Sequence, residues 1–197
     1  MMLLALCSEP GGTEITVLGG LGLSDYDMTS LLPGEIDFGR QAGASCFEVR
    51  LGHEFFRGVS LGFGMGLDLA PFEWRAESDS SSRSERVEEG HVDVFADWSP
   101  ELRPVHPFAR LGVTLQWGTL IRNYIHGDYL YSDADAVPTA PGVVAGAGFR
   151  LPVSGSARIL CEADYRMVFR DEFGGWQVDE VRGMNNWRFL LGLGVGL

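Results

Sequence analysis

A chain of 197 residues, 45% of them hydrophobic, is long enough for one domain or one barrel. Its 27 acidic residues outnumber 15 basic ones, all arginine, and the net charge of −12 argues against a nucleic-acid partner. No apolar run is long enough for a membrane-spanning helix, and Cys7, Cys46 and Cys161 stand at unrelated spacings that indicate neither a disulfide framework nor a zinc site.

In chain order, residues 1–12 (MMLLALCSEPGG) are expected to be a signal-peptide remnant or a disordered N-terminus. A short apolar run ends in Ser-Glu-Pro-Gly-Gly, with Ala5 and Cys7 small enough for the −3 and −1 positions of a cleavage site. From residue 13 to 197 the chain alternates with a period of two, the signature of strands with one apolar and one polar face. Ile15, Val17, Leu21 and Leu23 open the series, followed by Phe47, Val49, Leu51, His53 and Phe55. Next come Val59 to Leu69, then Val92 to Trp98, then Ala109 to Trp117. Val143 to Leu151, Ile159 to Phe169 and Trp187 to Leu197 complete eight segments. Most are roughly ten residues long, against about 5–6 for ordinary strands and 9–11 for membrane-spanning ones.

The links between segments alternate in length. Arg57-Gly58, Ser99 to Val105 and Pro152 to Ser156 are tight turns, whereas 25–41, 70–90, 119–139 and 170–185 are expected to be long loops. Ser78 to Glu89, charged and serine-rich, reads as a mobile loop. Loop 70–90 is acidic, and loop 119–139 joins Asp128, Asp133 and Asp135 to Tyr124, Tyr129 and Tyr131. Tight turns on one side and long loops on the other is the layout of an outer-membrane barrel, with both termini on the short-turn, periplasmic side.

Two features assign the faces. Glycine concentrates on the polar face, at Gly62, Gly64, Gly66, Gly146, Gly148, Gly192, Gly194 and Gly196, where small residues make room for long arginines inside a narrow lumen. Phe55, Trp98, Trp117, Phe169 and Trp187 lie near segment ends on the apolar face, as an interfacial girdle requires. The apolar face is therefore the outside.

The stretches RPVHPFARLGVTLQWG, GVVAGAGFRLPVSGSARILCEADYRMVF and NNWRFLLGLGVGL resemble the last four strands of small outer-membrane β-barrel proteins of the OmpA/OmpX and opacity-like types. The resemblance implies an all-β, eight-stranded, antiparallel up-and-down transmembrane barrel in a Gram-negative outer membrane. It also implies a C-terminal assembly signal for the barrel-assembly machinery. Gly192 and Val195 fit that signal, while Leu190 stands in its polar place and Leu197 in the place of its terminal aromatic residue.

The expected lumen carries Glu48, Glu54, Asp68, Asp93, Asp97, Glu162 and Asp164 against Arg50, Arg110, Arg150, Arg158, Arg166 and Arg188. Glu54, Asp97, Arg110, Arg150 and Arg158 fall at the short-turn end, and Asp68, Asp93, Asp164, Arg166 and Arg188 at the other, so signs mix at each level. Paired salt bridges plugging the barrel are the simplest reading, since unpaired charge there is costly; a gated conduit is the alternative. A lipid A deacylase would need a His-x-Ser pair, and His53, His91, His106 and His126 all lack one. His53 is expected at the interface and His91 inward beside Asp93, with no nucleophile–base set. No cofactor or metal is expected; Asp133-Ala-Asp135 is only a faint calcium signal. The expected partners are outer-membrane lipid and lipopolysaccharide, together with a surface ligand of unknown kind. The expected function is structural or adhesive, through four long acidic loops, rather than enzymatic.

Overall fold

The computed structural model describes residues 12–27, 41–75, 81–100, 105–126, 129–169 and 182–197. Eight antiparallel strands follow in order: β1 (Thr13–Asp27), β2 (Gln41–Phe56), β3 (Val59–Arg75), β4 (Ser81–Trp98), β5 (His106–His126), β6 (Tyr129–Ser154), β7 (Ala157–Val168) and β8 (Arg182–Gly196). Each pairs with the next, and β1 pairs with β8 from Glu14↔Gly196 to Asp27↔Arg182, so the sheet closes on itself and leaves no edge through the span.

Two turns at the terminus-bearing end depend on glycine. Gly58, at φ 77, turns β2 into β3, where Ser99 N–H donates to its carbonyl at 2.7 Å. Glu54 Oε1 accepts the Gly58 N–H at 2.8 Å and so caps that turn. Gly155, at φ 51, does the same between β6 and β7.

The outer wall is apolar from girdle to girdle. Phe55 and Trp98 stand exposed at the terminus-bearing end, and Trp117, Phe169 and Trp187 at the far end. Between them Val113 is 59% and Leu193 62% exposed. A continuous greasy surface of this extent is not compatible with water and matches acyl chains.

The strands run past the expected span. β3 continues to Arg75 and β4 begins at Ser81, with pairing unbroken from Leu69↔Glu88 to Arg75↔Ser82. β5 reaches His126 and β6 begins at Tyr129. Most of 70–90 and 119–139 is thus strand, not loop, and Ser78 to Glu89 is β4 from Ser81 onward. The cause is physical: beyond the lipid both faces meet water, so the alternation that marks a strand disappears while the backbone ladder continues. Leu130 and its neighbour Tyr131, on opposite faces of β6, are both exposed. A register shift between Gln116 and Gly118 leaves Pro138 in a bulge of β6 near the far girdle, where proline removes no ladder bond. The connections expected at 25–41 and 170–185 fall largely, and the N-terminal signal remnant almost wholly, outside the described residues.

Candidate functional site

Cross-strand register brings the lumen charges together. Asp97 and Arg110 are partners on β4 and β5, and the guanidinium grips the carboxylate with both ends, Nε to Oδ1 at 2.7 Å and Nη2 to Oδ2 at 2.8 Å. Asp164 and Arg188 repeat the arrangement on β7 and β8, at 2.8 and 2.6 Å. Such two-point pairs fix both side chains in a plane.

In the near half of the lumen, toward the termini, Arg110 also donates to Glu162 at 3.0 Å and lies 3.8 Å over the Phe95 ring. Arg150 donates to Asp97 Oδ2 at 2.5 Å and stacks 4.4 Å over Phe108. Arg50 joins the two halves: its Nε meets Glu48 Oε1 at 2.5 Å and its Nη1 holds Glu162. Below this layer a cavity of about 210 Å³ opens among Thr16, Phe95 and the three arginines, floored by the turns and termini.

The far half centres on Glu48, which accepts from Arg188 Nη2 at 2.8 Å and from Arg166 Nη2 at 3.5 Å. Arg166 also holds Asp93, and both arginines are fully buried. Arg188 Nη1 lies 3.3 Å from His91 Nε2; a guanidinium only donates, so Nε2 accepts and the ring proton sits on Nδ1, facing Asp68 Oδ2 at 3.6 Å. Glu48, His91 and Asp93 offer ligand atoms within 4.8 Å of one another, as a metal would need. Glu48 and Asp93 already accept from arginines, however, and those cations occupy the role a metal would have.

Two of the thirteen expected lumen residues stand apart. Glu54 caps its turn, and the half-exposed Arg158 pairs at the mouth with Glu14 at 3.0 Å, a residue the sequence reading passed over. Sequence reasoning also missed Glu89, Gln116 and Asn186, all buried in the far half; Gln116 Nε2 donates to Glu89 Oε2 at 2.6 Å and Asn186 Nδ2 at 3.4 Å. Ala44, Val87, Val137, Ala140 and Val168, toward the same end, are buried as well. The glycine stripe makes room for rings and carboxylates as much as for arginines. A Cβ on Gly62 would come within 2.4 Å of the Phe95 ring, one on Gly66 within 2.4 Å of His91, and one on Gly64 within 2.8 Å of Glu48 Oε1. Among the assembly-signal positions, Gly192 lies against the Leu18 backbone, Leu190 points inward, and Val195 and Leu197 are exposed on the outer wall. His53 lies near the terminus-bearing end, Nδ1 at 3.1 Å from Thr13 Oγ1, its ring edge-on to Phe55.

A closed eight-stranded antiparallel sheet, greasy outside and packed with charge inside, has the fold of the small outer-membrane β-barrels. Among solved structures the chain is similar to Neisserial surface protein A, at 10% identity over 96% of this chain and 100% of that one, with a TM-score of 0.66. It is similar also to the outer membrane protein OprG from Pseudomonas aeruginosa (13%, 95% and 97%, TM-score 0.55). A third is Ail, the attachment invasion locus protein of Yersinia pestis, in complex with the heparin analogue sucrose octasulfate (13%, 94% and 99%, TM-score 0.51). No protein-family model matches the sequence, and no curated protein does.

Proposed function

We propose that this chain is a sealed outer-membrane surface barrel that presents its projecting hairpins, β3–β4 and β5–β6, to the exterior. Short turns and termini then lie in the periplasm, lipid and lipopolysaccharide surround the apolar wall, and β8 carries the signal read by the assembly machinery. The observation that carries the reading is the interior. Arg166 and Arg188, fully buried, are tied across the lumen to Glu48, Asp93 and Asp164. A cross-section filled this way suits an anchor better than a conduit, because opening it would strand several charges at once.

The name of the neighbour Ail refers to attachment, which agrees with display of a contact surface. A ligand like the heparin analogue does not carry over to a chain of net charge −12, which repels polyanions. A cationic or neutral partner fits better. Catalysis has little support: His91 is held between Arg188 and two carboxylates, and no third group is bonded to the Thr13–His53 pair among the described residues.

The test combines conductance with binding. Purified barrel in planar bilayers is expected to show no stepwise current, and cells expressing it to gain adhesion that is lost when residues 120–135 are replaced by a short turn. Steady single-channel current changed by Arg188→Ala would replace this reading with a conduit.

A further inference from the structure

The cavity of about 210 Å³ beneath the near arginine layer has a wall in which some polar groups are fully engaged and others are not. Its carboxylates are engaged. Asp97 accepts from Arg110 and Arg150 on its two oxygens, Glu14 from Arg158 at 3.0 Å and Thr16 Oγ1 at 3.2 Å, and Glu54 from the Gly58 N–H. Arg110 donates through Nε, Nη1 and Nη2, and Arg50 through Nε and Nη1.

Arg150 differs. It donates only through Nη2, to Asp97, and among the described residues its Nε and Nη1 make no hydrogen bond. The Asp97 bond and the Phe108 ring 4.4 Å away hold its guanidinium in place. His106 is its register partner on β5, also lines the cavity, and likewise has no hydrogen-bond partner among the described residues. Two donor side chains thus stand next to each other, with the neighbouring carboxylates already engaged. Such a pair calls for a ligand that brings its own acceptors.

Room for that ligand is set by Gly52. The inward glycines 62, 64 and 66 press against rings or a carboxylate, but a Cβ on Gly52, in the cavity wall, would meet nothing within 4 Å. Packing does not require glycine there, and its effect is to keep the cavity open. Since a cavity of about 150 Å³ holds benzene, this one takes a body of about six to nine heavy atoms.

We propose that this cavity binds a small monocarboxylate, its oxygens facing Arg150 and His106 and its body in the space left by Gly52. A planar guanidinium matches a planar carboxylate. Glu14 and Glu54, in the same wall, disfavour a second negative charge such as phosphate carries. The cavity lies against the turns and termini, so in the orientation proposed above the ligand arrives from the periplasm. The binding chemistry does not depend on that orientation.

The test titrates butyrate into the folded barrel in detergent and follows the His106 ring signals by NMR, assigned by their loss in His106→Gln. These signals and the Arg150 Nε–H signal are expected to shift together and to saturate, with phosphate and butylamine at least tenfold weaker. Gly52→Leu fills the space, keeps every polar group, and is expected to weaken butyrate at least tenfold. Gly43→Leu adds the same bulk on the outer face, where a Cβ also meets nothing within 4 Å, and should change nothing. Arg150→Lys keeps the charge but not the planar fork and should weaken butyrate about tenfold, which decides the matter if Gly52→Leu does not fold. Signals that ignore butyrate, that respond equally to phosphate, or that respond as in wild type after Gly52→Leu or Arg150→Lys overturn the proposal.

Discussion

The near and far halves of the lumen solve the same problem differently. Near the termini, arginines outnumber carboxylates, each guanidinium lies over a ring or between two acids, and the layer is almost fully hydrogen-bonded. Farther out, among the described side chains, carboxylates outnumber arginines, and buried oxygens of Asp68, Asp93, Gln116 and Asn186 make no hydrogen bond. The near half is a redundant network, in which every carboxylate keeps a second arginine. In the far half, Glu48 also meets Arg50 and Arg166, and Arg50 lies 3.6 Å from Asp164, but among the described residues Asp68 has Arg188 as its one guanidinium within 4 Å. Redundancy, more than the count of ion pairs, should decide how each half responds to damage.

The largest effect is therefore expected from Arg188→Ala. It removes the two-point partner of Asp164 and, among the described residues, the one guanidinium within 4 Å of Asp68, and should cost about 3–5 kcal/mol in a urea titration of the barrel in phospholipid vesicles. Arg110→Ala should cost clearly less, because Arg150 still holds Asp97 and Arg50 still holds Glu162. Equal losses would mean that the halves do not differ. The outer wall should show no such division: Val113→Arg on β5 and Leu193→Arg on β8 should each cost about 2–4 kcal/mol at mid-bilayer, read by the same titration.

The outer wall was readable from the sequence because lipid imposes a period of two on each strand, and Val113 or Leu193 follows from its neighbours alone. Arg110 with Asp97, and Arg188 with Asp164, were readable as inward residues, though their pairing needed the register. The far half was not readable. Glu89 sits in a stretch of Ser, Glu and Arg whose composition reads as loop, and the buried Val87 and Val137 lie in segments of the same character. Asn186 meets Glu89 only because β8 closes onto β1, which carries the two, 97 residues apart in sequence, to the same side of the lumen. Local pattern carries no trace of such a meeting.

Smaller perturbations sharpen the same contrast. Gly62→Ala drives a methyl into Phe95, which Arg110 clamps from its other side at 3.8 Å, and should cost about 1–3 kcal/mol. Gly66→Ala meets the His91 ring at 2.4 Å and the Phe47 carbonyl oxygen at 2.5 Å, whereas the backbone nearest a Gly62 methyl, the Leu51 carbonyl oxygen, lies at 2.9 Å. A backbone oxygen cannot step aside as a ring can, so Gly66→Ala should cost more than Gly62→Ala in a paired urea titration. The reverse order would show that the backbone of the far half yields more readily than the rings of the near one.

The smallest effect belongs to Arg158→Ala. Its pair with Glu14 is as short as several inside the barrel, at 3.0 Å, but the two side chains are 48% and 17% exposed. Water screens the attraction, and both groups regain hydration when the pair opens, so the loss should stay below about 1 kcal/mol. The comparison with Arg110→Ala separates distance from burial, because Arg110 donates to Glu162 at the same 3.0 Å from a dry interior. If Arg158→Ala shifted the urea midpoint as far as Arg110→Ala, the mouth would be part of the seal, and the near half would extend to the membrane surface.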